Sequence, residues 1–214
     1  MCLKTEKNKL HNPKVKTKRF MSQKLKITIV LSVILLVCIV FLYNNKLGPL
    51  RSAYHKITMS SGLRKPTNLI DPNIKTTFDY SGFFMDSDGN ELSLYDYKGK
   101  TLFINIWASW CRPCRSEMPF IAQMYESIKD KEDIKIILIN VDSDQEKAKK
   151  YLLQNNYQLP VIYAKNELDG SLKFNSLPTT LVVNKNAEII FYQEGMSNFN
   201  THEFKNFLID AGTY

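Results

Sequence analysis

Cys111 and Cys114 stand at C-x-x-C spacing in the run Trp107-Ala108-Ser109-Trp110-Cys111-Arg112-Pro113-Cys114-Arg115. Two thiols so placed can close a structural disulfide, hold a metal, or pass electrons by thiol–disulfide exchange. A structural disulfide would close a very short loop, whereas cross-link stabilisation grows with loop length. Zinc needs two further ligands, and beyond the N-terminal region the chain offers only His55 and His202, which are not spaced as a zinc pair. Exchange fits the context better. The pair falls between an apolar run and a helical pattern, so Cys111 sits at a helix N-terminus, where free backbone N–H groups and the macrodipole favour an anion. Arg112 and Arg115 add positive charge. Such thiols ionise at roughly pH 3.5–7.5, which makes Cys111 a thiolate at neutral pH. A thiol peroxidase would need a Pro and a Thr or Ser upstream, at offsets that Phe103 and Trp107 occupy.

The elements that must position the pair are legible around it. Thr101–Trp107 is too apolar for a one-sided strand and is expected at the centre of a sheet. Cys111 to about Lys129 reads as a helix that Pro119 should kink, because proline removes a backbone donor. Ile134–Val141 is a second buried strand. Ser143-Asp144-Gln145-Glu146 reads as a capping box opening a helix to about Asn155. Before these, Phe83–Leu94 is expected to form a hairpin turning at Asp86–Asn90. After them, Thr179–Val183 and Glu188–Tyr192 form a closing hairpin across Asn184–Ala187, followed by a helix from Thr201 to Asp210. This order predicts an α/β fold with a mixed central sheet flanked by helices.

Upstream, Ile27–Tyr43 is a run of 17 residues without a charge, within the roughly 17–25 that a helix needs to cross a bilayer. No small residues mark a cleavage site after it, and nothing before Cys38 suggests a lipid anchor there. It is therefore expected to be an uncleaved transmembrane signal-anchor helix. The chain carries a net charge of +8, and residues 1–26 hold nine basic side chains against one acid, so the whole excess lies in that tail. The remaining residues are neutral as a set. That excludes the basic face of a nucleic-acid-binding domain and places the tail in the cytoplasm. The expected organisation is a basic cytoplasmic tail (1–26), a membrane helix (27–43), a linker (44–75) and an outer domain (76–214). Cys2 then lies in the reducing cytoplasm and Cys38 in the membrane, which leaves Cys111 and Cys114 as the outer domain's only pair.

The stretch from Trp107 to Pro119, Gly99-Lys100 before the strand, Val141-Asp142 at a strand end and Leu177-Pro178-Thr179-Thr180 before the last hairpin together resemble the TlpA/ResA-type membrane-anchored thioredoxin-like proteins. The resemblance covers about residues 76–214. It implies a thioredoxin-like fold in which Pro178 follows a cis peptide bond facing the cysteines. Cys111 would be the attacking thiolate and Cys114 the buried resolving thiol, exchanging through a mixed disulfide. Trp110 would pack beside the site, and the backbone at Leu177 would pair with an extended substrate. Where thioredoxins proper carry a buried Asp, this chain has Asn105. The family has instead a Glu three residues after the second cysteine, matched by Glu117, expected to tune Cys114 and help transfer its proton. The final hairpin departs from the family pattern, which has Gly after the turn's acidic residue. Asn186-Ala187 stands here, and Asn186 is expected to take the positive φ.

These readings converge on an extracytoplasmic thiol:disulfide oxidoreductase tethered to a bacterial cytoplasmic membrane, acting as a disulfide reductase. It needs no cofactor beyond the cysteine pair; no nucleotide-binding glycine motif and no metal site are read. The resemblance implies protein thiol clients, apocytochrome c among them, and a membrane thiol–disulfide electron donor. A disulfide oxidase or isomerase on the same site, and a non-catalytic peptide-binding module around Pro178, are the competing readings. Client recognition is expected to involve the segment 156–177.

Overall fold

The computed structural model describes residues 23–46, 54, 57–58, 65–66 and 76–211. Most of the basic tail and of the expected linker lie outside the described residues. The chain divides into two compact units, Met1–Pro49 and Leu50–Tyr214.

In the first unit, α1 (Gln23–Lys46) has 24 residues and no acidic group in its first turn. At about 1.5 Å per residue it is roughly 36 Å long. Its side chains from Leu25 to Phe41 are exposed all round, and Cys38 is a free, exposed thiol. No helix among the described residues is long and apolar enough to cross a membrane.

The second unit is built on one mixed sheet of seven strands in the order β2-β1-β5-β4-β3-β6-β7. These are β1 (Phe84–Met85), β2 (Glu91–Leu92), β3 (Thr101–Trp107), β4 (Ile134–Asn140), β5 (Val161–Ala164), β6 (Thr179–Val183) and β7 (Ile189–Glu194). The helices are α2 (Arg112–Ile128), α3 (Gln145–Gln154) and α4 (His202–Asp210). β3 is buried along its whole length, runs parallel to β4 and is antiparallel to β6. Side chains alternate across a strand, so Phe103 and Trp107 join the core under α2, α3 and α4. Leu102, Ile104 and Ile106 face the other way. All three helices thus cover one face. The helices expected to flank the sheet are present on that face, and Phe78, Tyr80, Phe84, Leu94 and Leu172, from loops, short 3-10 turns and β1, cover the opposite face.

Three local expectations change. β5 was not anticipated: four residues behind Pro160 are too few for a readable period, and pairing with β4 and β1 makes them a strand. The cap of α3 is Asp144 rather than Ser143, and its carboxylate accepts from the Glu146 N–H at 3.1 Å. In the last hairpin it is Ala187, at φ 62°, and not Asn186, that takes the left-handed conformation. The reason is Asn184, whose Oδ1 accepts from the N–H groups of Asn186 and Glu188 at 3.0 and 2.9 Å. That grip closes the turn and passes the left-handed step to residue 187.

Two described residues before Thr76 also belong to this unit's contacts. Thr58 is buried, and Lys65 Nζ lies 3.0 Å from Glu203 Oε1 on α4.

Candidate active site

The end of β3, the loop Ala108–Trp110 and the start of α2 hold the cysteines. The loop is tied to the neighbouring strand: Val141 N–H donates to the Trp107 carbonyl at 3.0 Å, and Ser109 N–H donates to Asp142 Oδ2 at 2.9 Å. Asn140 Nδ2 donates to the same carboxylate oxygen at 3.0 Å. Cys111 is the N-cap of α2, its Sγ accepting from the Cys114 N–H at 3.2 Å, and Pro113 lies in the first turn, where its missing donor costs nothing. The two sulfurs form a disulfide with their Cα atoms 5.3 Å apart.

The two thiols are not equivalent. Cys111 retains 5% exposure and lines a cavity of about 880 Å³, whereas Cys114 is fully enclosed. Trp110, Asp142, Leu168, Phe174 and Leu177 line the same cavity. Trp110 is 67% exposed, so it forms the rim of the site and is not packed into it; Trp107 is the buried one. Loop position explains the difference, since Trp107 ends β3 on its helix-covered face while Trp110 follows in the turn. The Leu177–Pro178 peptide bond is cis. Pro178 itself is buried and its carbonyl accepts from Gly195 N–H at 2.8 Å. Among the described residues, neither the N–H nor the carbonyl of Leu177 enters a backbone hydrogen bond.

Of the two arginines, Arg112 is exposed at the cavity and Arg115 places its guanidinium 5.2 Å from the centre of the Tyr151 ring. α2 continues without interruption through Pro119. Proline withholds the donor that the Arg115 carbonyl would otherwise receive, and the Tyr151 hydroxyl reaches that carbonyl at 3.5 Å. Burial raises Tyr151 to about 12, with a smaller rise from Tyr157, so it stays a neutral donor.

Glu117 lies one helical turn beyond Cys114 on α2 and is completely buried. It is not a solvated helical carboxylate. Oε1 accepts from Asn105 Nδ2 at 2.8 Å and Oε2 from the Ser197 N–H at 3.1 Å. Burial pushes its pKa up to about 8, and those two hydrogen bonds pull in the opposite direction. The acid therefore holds a proton at neutral pH and can exchange it slightly above. Thr180 and Ser197, which complete this environment, went unrecognised in the sequence. Thr180 could have been found from the pairing of β3 with β6, which sets it opposite Asn105; Ser197 carries no local signal. Among the described residues no group of His, Cys, Asp and Glu could hold a metal ion.

The family model described as Redoxin matches residues 67–208. Among curated proteins, Thiol-disulfide oxidoreductase ResA of Bacillus cereus is 31% identical over 106 residues, 49% of this chain and 61% of that protein. ResA of Bacillus subtilis is 26% identical over 125 residues, 58% of this chain and 69% of that protein. The chain thus spans less than two thirds of the length of the Bacillus cereus relative. Among solved structures, the thioredoxin domain of a thiol-disulfide oxidoreductase from Bacteroides vulgatus superposes with TM-score 0.52 at 22% identity, covering 63% of this chain and 96% of that one. A DsbF homologue from Corynebacterium diphtheriae gives TM-score 0.52 at 22% identity, with 67% and 90% covered. At such identities these structures establish the fold, which is thioredoxin-like. With the match running from residue 67 to residue 208, the chain belongs to the Redoxin family.

Proposed function

We propose that the chain is a thiol:disulfide oxidoreductase, tethered by α1 to a bacterial cytoplasmic membrane with its catalytic unit outside, and that it reduces disulfides of envelope proteins. One observation carries the chemistry. The disulfide has one sulfur at the wall of an open cavity and the other enclosed, with a buried, protonatable carboxyl one turn away.

A donor dithiol first opens the pair. Its thiolate attacks Cys111 Sγ, the Cys111–Cys114 bond breaks, and Cys114 leaves with the electron pair and takes the Glu117 proton. A second donor thiol then releases Cys111, leaving the donor as a disulfide and the chain as a dithiol. With a client disulfide the events reverse. Cys111 thiolate forms a mixed disulfide, Cys114 gives its proton to Glu117 and attacks Cys111 Sγ, and two electrons leave with the client thiols. The unpaired backbone of Leu177 and the exposed face of Trp110 offer an extended client both hydrogen bonds and apolar contact. The apolar, uncharged run of α1 and the basic tail before it support the anchor and its orientation. By resemblance, the clients include apocytochrome c and the electrons come from a membrane thiol–disulfide carrier.

The full chain, with a dithiol donor, should reduce insulin disulfides, and Cys114→Ser should accumulate a mixed disulfide through Cys111. Cys111→Ser should be inactive; absence of insulin reduction by the wild-type chain would overturn the reading in favour of a binding module. A reduction potential near that of a strong oxidant, about −120 mV, would reverse the direction to oxidase.

A further inference from the structure

Asn105 occupies the centre of the sheet, fully buried, with its side chain on the face that α2 covers. Both of its partners are side chains of other elements. Nδ2 donates to Glu117 Oε1 on α2 at 2.8 Å and to Thr180 Oγ1 on β6 at 2.9 Å. Its own Oδ1 is buried with no hydrogen-bond partner. An orphaned buried acceptor costs about 1–3 kcal/mol, a cost that calls for a reason. The amide gives its donors to the acid and to β6, the strand that follows Pro178, and leaves its oxygen bare.

We propose that Asn105 is a positioning residue for the exchange reaction: its Nδ2, shared between Glu117 and Thr180, holds the Glu117 carboxyl so that it can give up and recover a proton inside the fold.

The proposal rests on the thiol–disulfide reading of the site and deepens it. When Cys114 leaves the disulfide it removes a proton from Glu117 and creates a buried carboxylate. Burial opposes that anion, and only two hydrogen bonds favour it, from Asn105 Nδ2 and from the Ser197 N–H. The Ser197 side chain is itself engaged with Gln193 Nε2. No Lys, Arg or second carboxylate among the described residues shifts Glu117, and Cys114 lies one turn back on its own helix. Among the described residues Asn105 is thus the only side chain that donates to the anion. An Asp there would give a different device, two carboxyl groups at hydrogen-bond distance sharing one proton and titrating as a pair. The amide leaves a single proton site, with its donor on β3 and a link through Thr180 to the residues that follow the cis bond.

The test follows the Glu117 carboxyl by carbon NMR of the full chain labelled at Glu, assigned with Glu117→Gln, alongside the pH profile of insulin reduction. Losing one charge-assisted hydrogen bond of about 1.5–3 kcal/mol should move the Glu117 midpoint in Asn105→Ala upward by about one to two pH units, and the activity profile should move with it. Asn105→Asp keeps the shape of the side chain and should replace the single step by two. An unchanged midpoint in Asn105→Ala, or a rate loss uniform across pH, would overturn the proposal. If the alanine variant does not fold, a single unshifted step in Asn105→Asp does so. Absence of reductase activity in the wild-type chain would instead sink the functional reading, whatever Glu117 titrates like.

Discussion

Replacing Glu117 by Gln should change how stability depends on pH, with a sign set by burial. The folded protein holds the Glu117 proton up to about pH 8, whereas the unfolded chain releases it near the ordinary value of 4.5. Between those limits the native state binds more protons than the unfolded state, so stability is fully present at low pH and is lost as pH rises. Each pH unit in that window removes about 1.4 kcal/mol, which accumulates to roughly 5 kcal/mol by pH 8. Gln at this position has no proton to lose. It keeps one acceptor for the two donors that Glu117 serves and turns its own N–H₂ toward the other. Asn105 can reverse its amide and offer the bare Oδ1 to that group, so the mismatch costs about 1 kcal/mol. The two curves should therefore cross: wild type is the more stable below about pH 5, and Glu117→Gln is the more stable by several kcal/mol at pH 8 and above. Urea unfolding of the oxidised full chain across this range, taken as the difference between the two proteins, cancels every other titrating group. A difference constant within about 0.5 kcal/mol from pH 5 to 8 would refute the buried, proton-holding acid.

Two other substitutions probe the rim and the turn. Trp110→Ala removes a side chain that is 67% exposed, so stability should stay within about 0.5 kcal/mol. The KM for a protein disulfide should rise about tenfold, as expected for loss of an aromatic anchor, while a small-molecule disulfide is reduced as before; equal effects on both would remove Trp110 from client binding. Ala187 holds φ 62°, a conformation that costs a side-chain-bearing residue about 1–2 kcal/mol. Ala187→Gly should therefore raise Tm by about 2–4 °C, and a fall in Tm would show that the alanine methyl's contact with the core outweighs the strain.

The parts of the site that follow the chain locally were legible, and those created by strand pairing were not. β3 could be read at Thr101–Trp107 because an unbroken apolar run lies between Gly99-Lys100 and the cysteine motif, and its boundaries are those observed. The cis bond before Pro178 was implied by resemblance alone, and the structure contains it. By contrast, the surroundings of Trp107 and Trp110 depend on which face of β3 the helices cover, and a list of aromatic residues does not carry that information. Ala187 differs from expectation for a related reason: the side chain that sets its φ belongs to Asn184, three positions earlier, and Asn186 looked the better candidate on residue type.

Glu117 shows the limit most clearly. In sequence it is a helical glutamate between Arg115-Ser116 and Met118-Pro119, equally consistent with a solvated face and a buried acid. What decides between them is the opposition of Asn105 to Thr180 across β3 and β6 and the approach of Ser197, contacts that link residues 75 and 80 positions apart. The electron-carrying half of the chemistry is encoded within four consecutive residues, because a thiol's reactivity is set by the helix start beside it. The proton-carrying half is distributed over β3, α2, β6 and the loop after β7, because a buried carboxyl's pKa is set by whatever the fold brings to its two oxygens. A strand slip of one residue between β3 and β6 would leave Cys111 and Cys114 paired at the head of α2 and would turn Thr180 away from Asn105. Exchange would then lose its control over where the proton goes while keeping the disulfide.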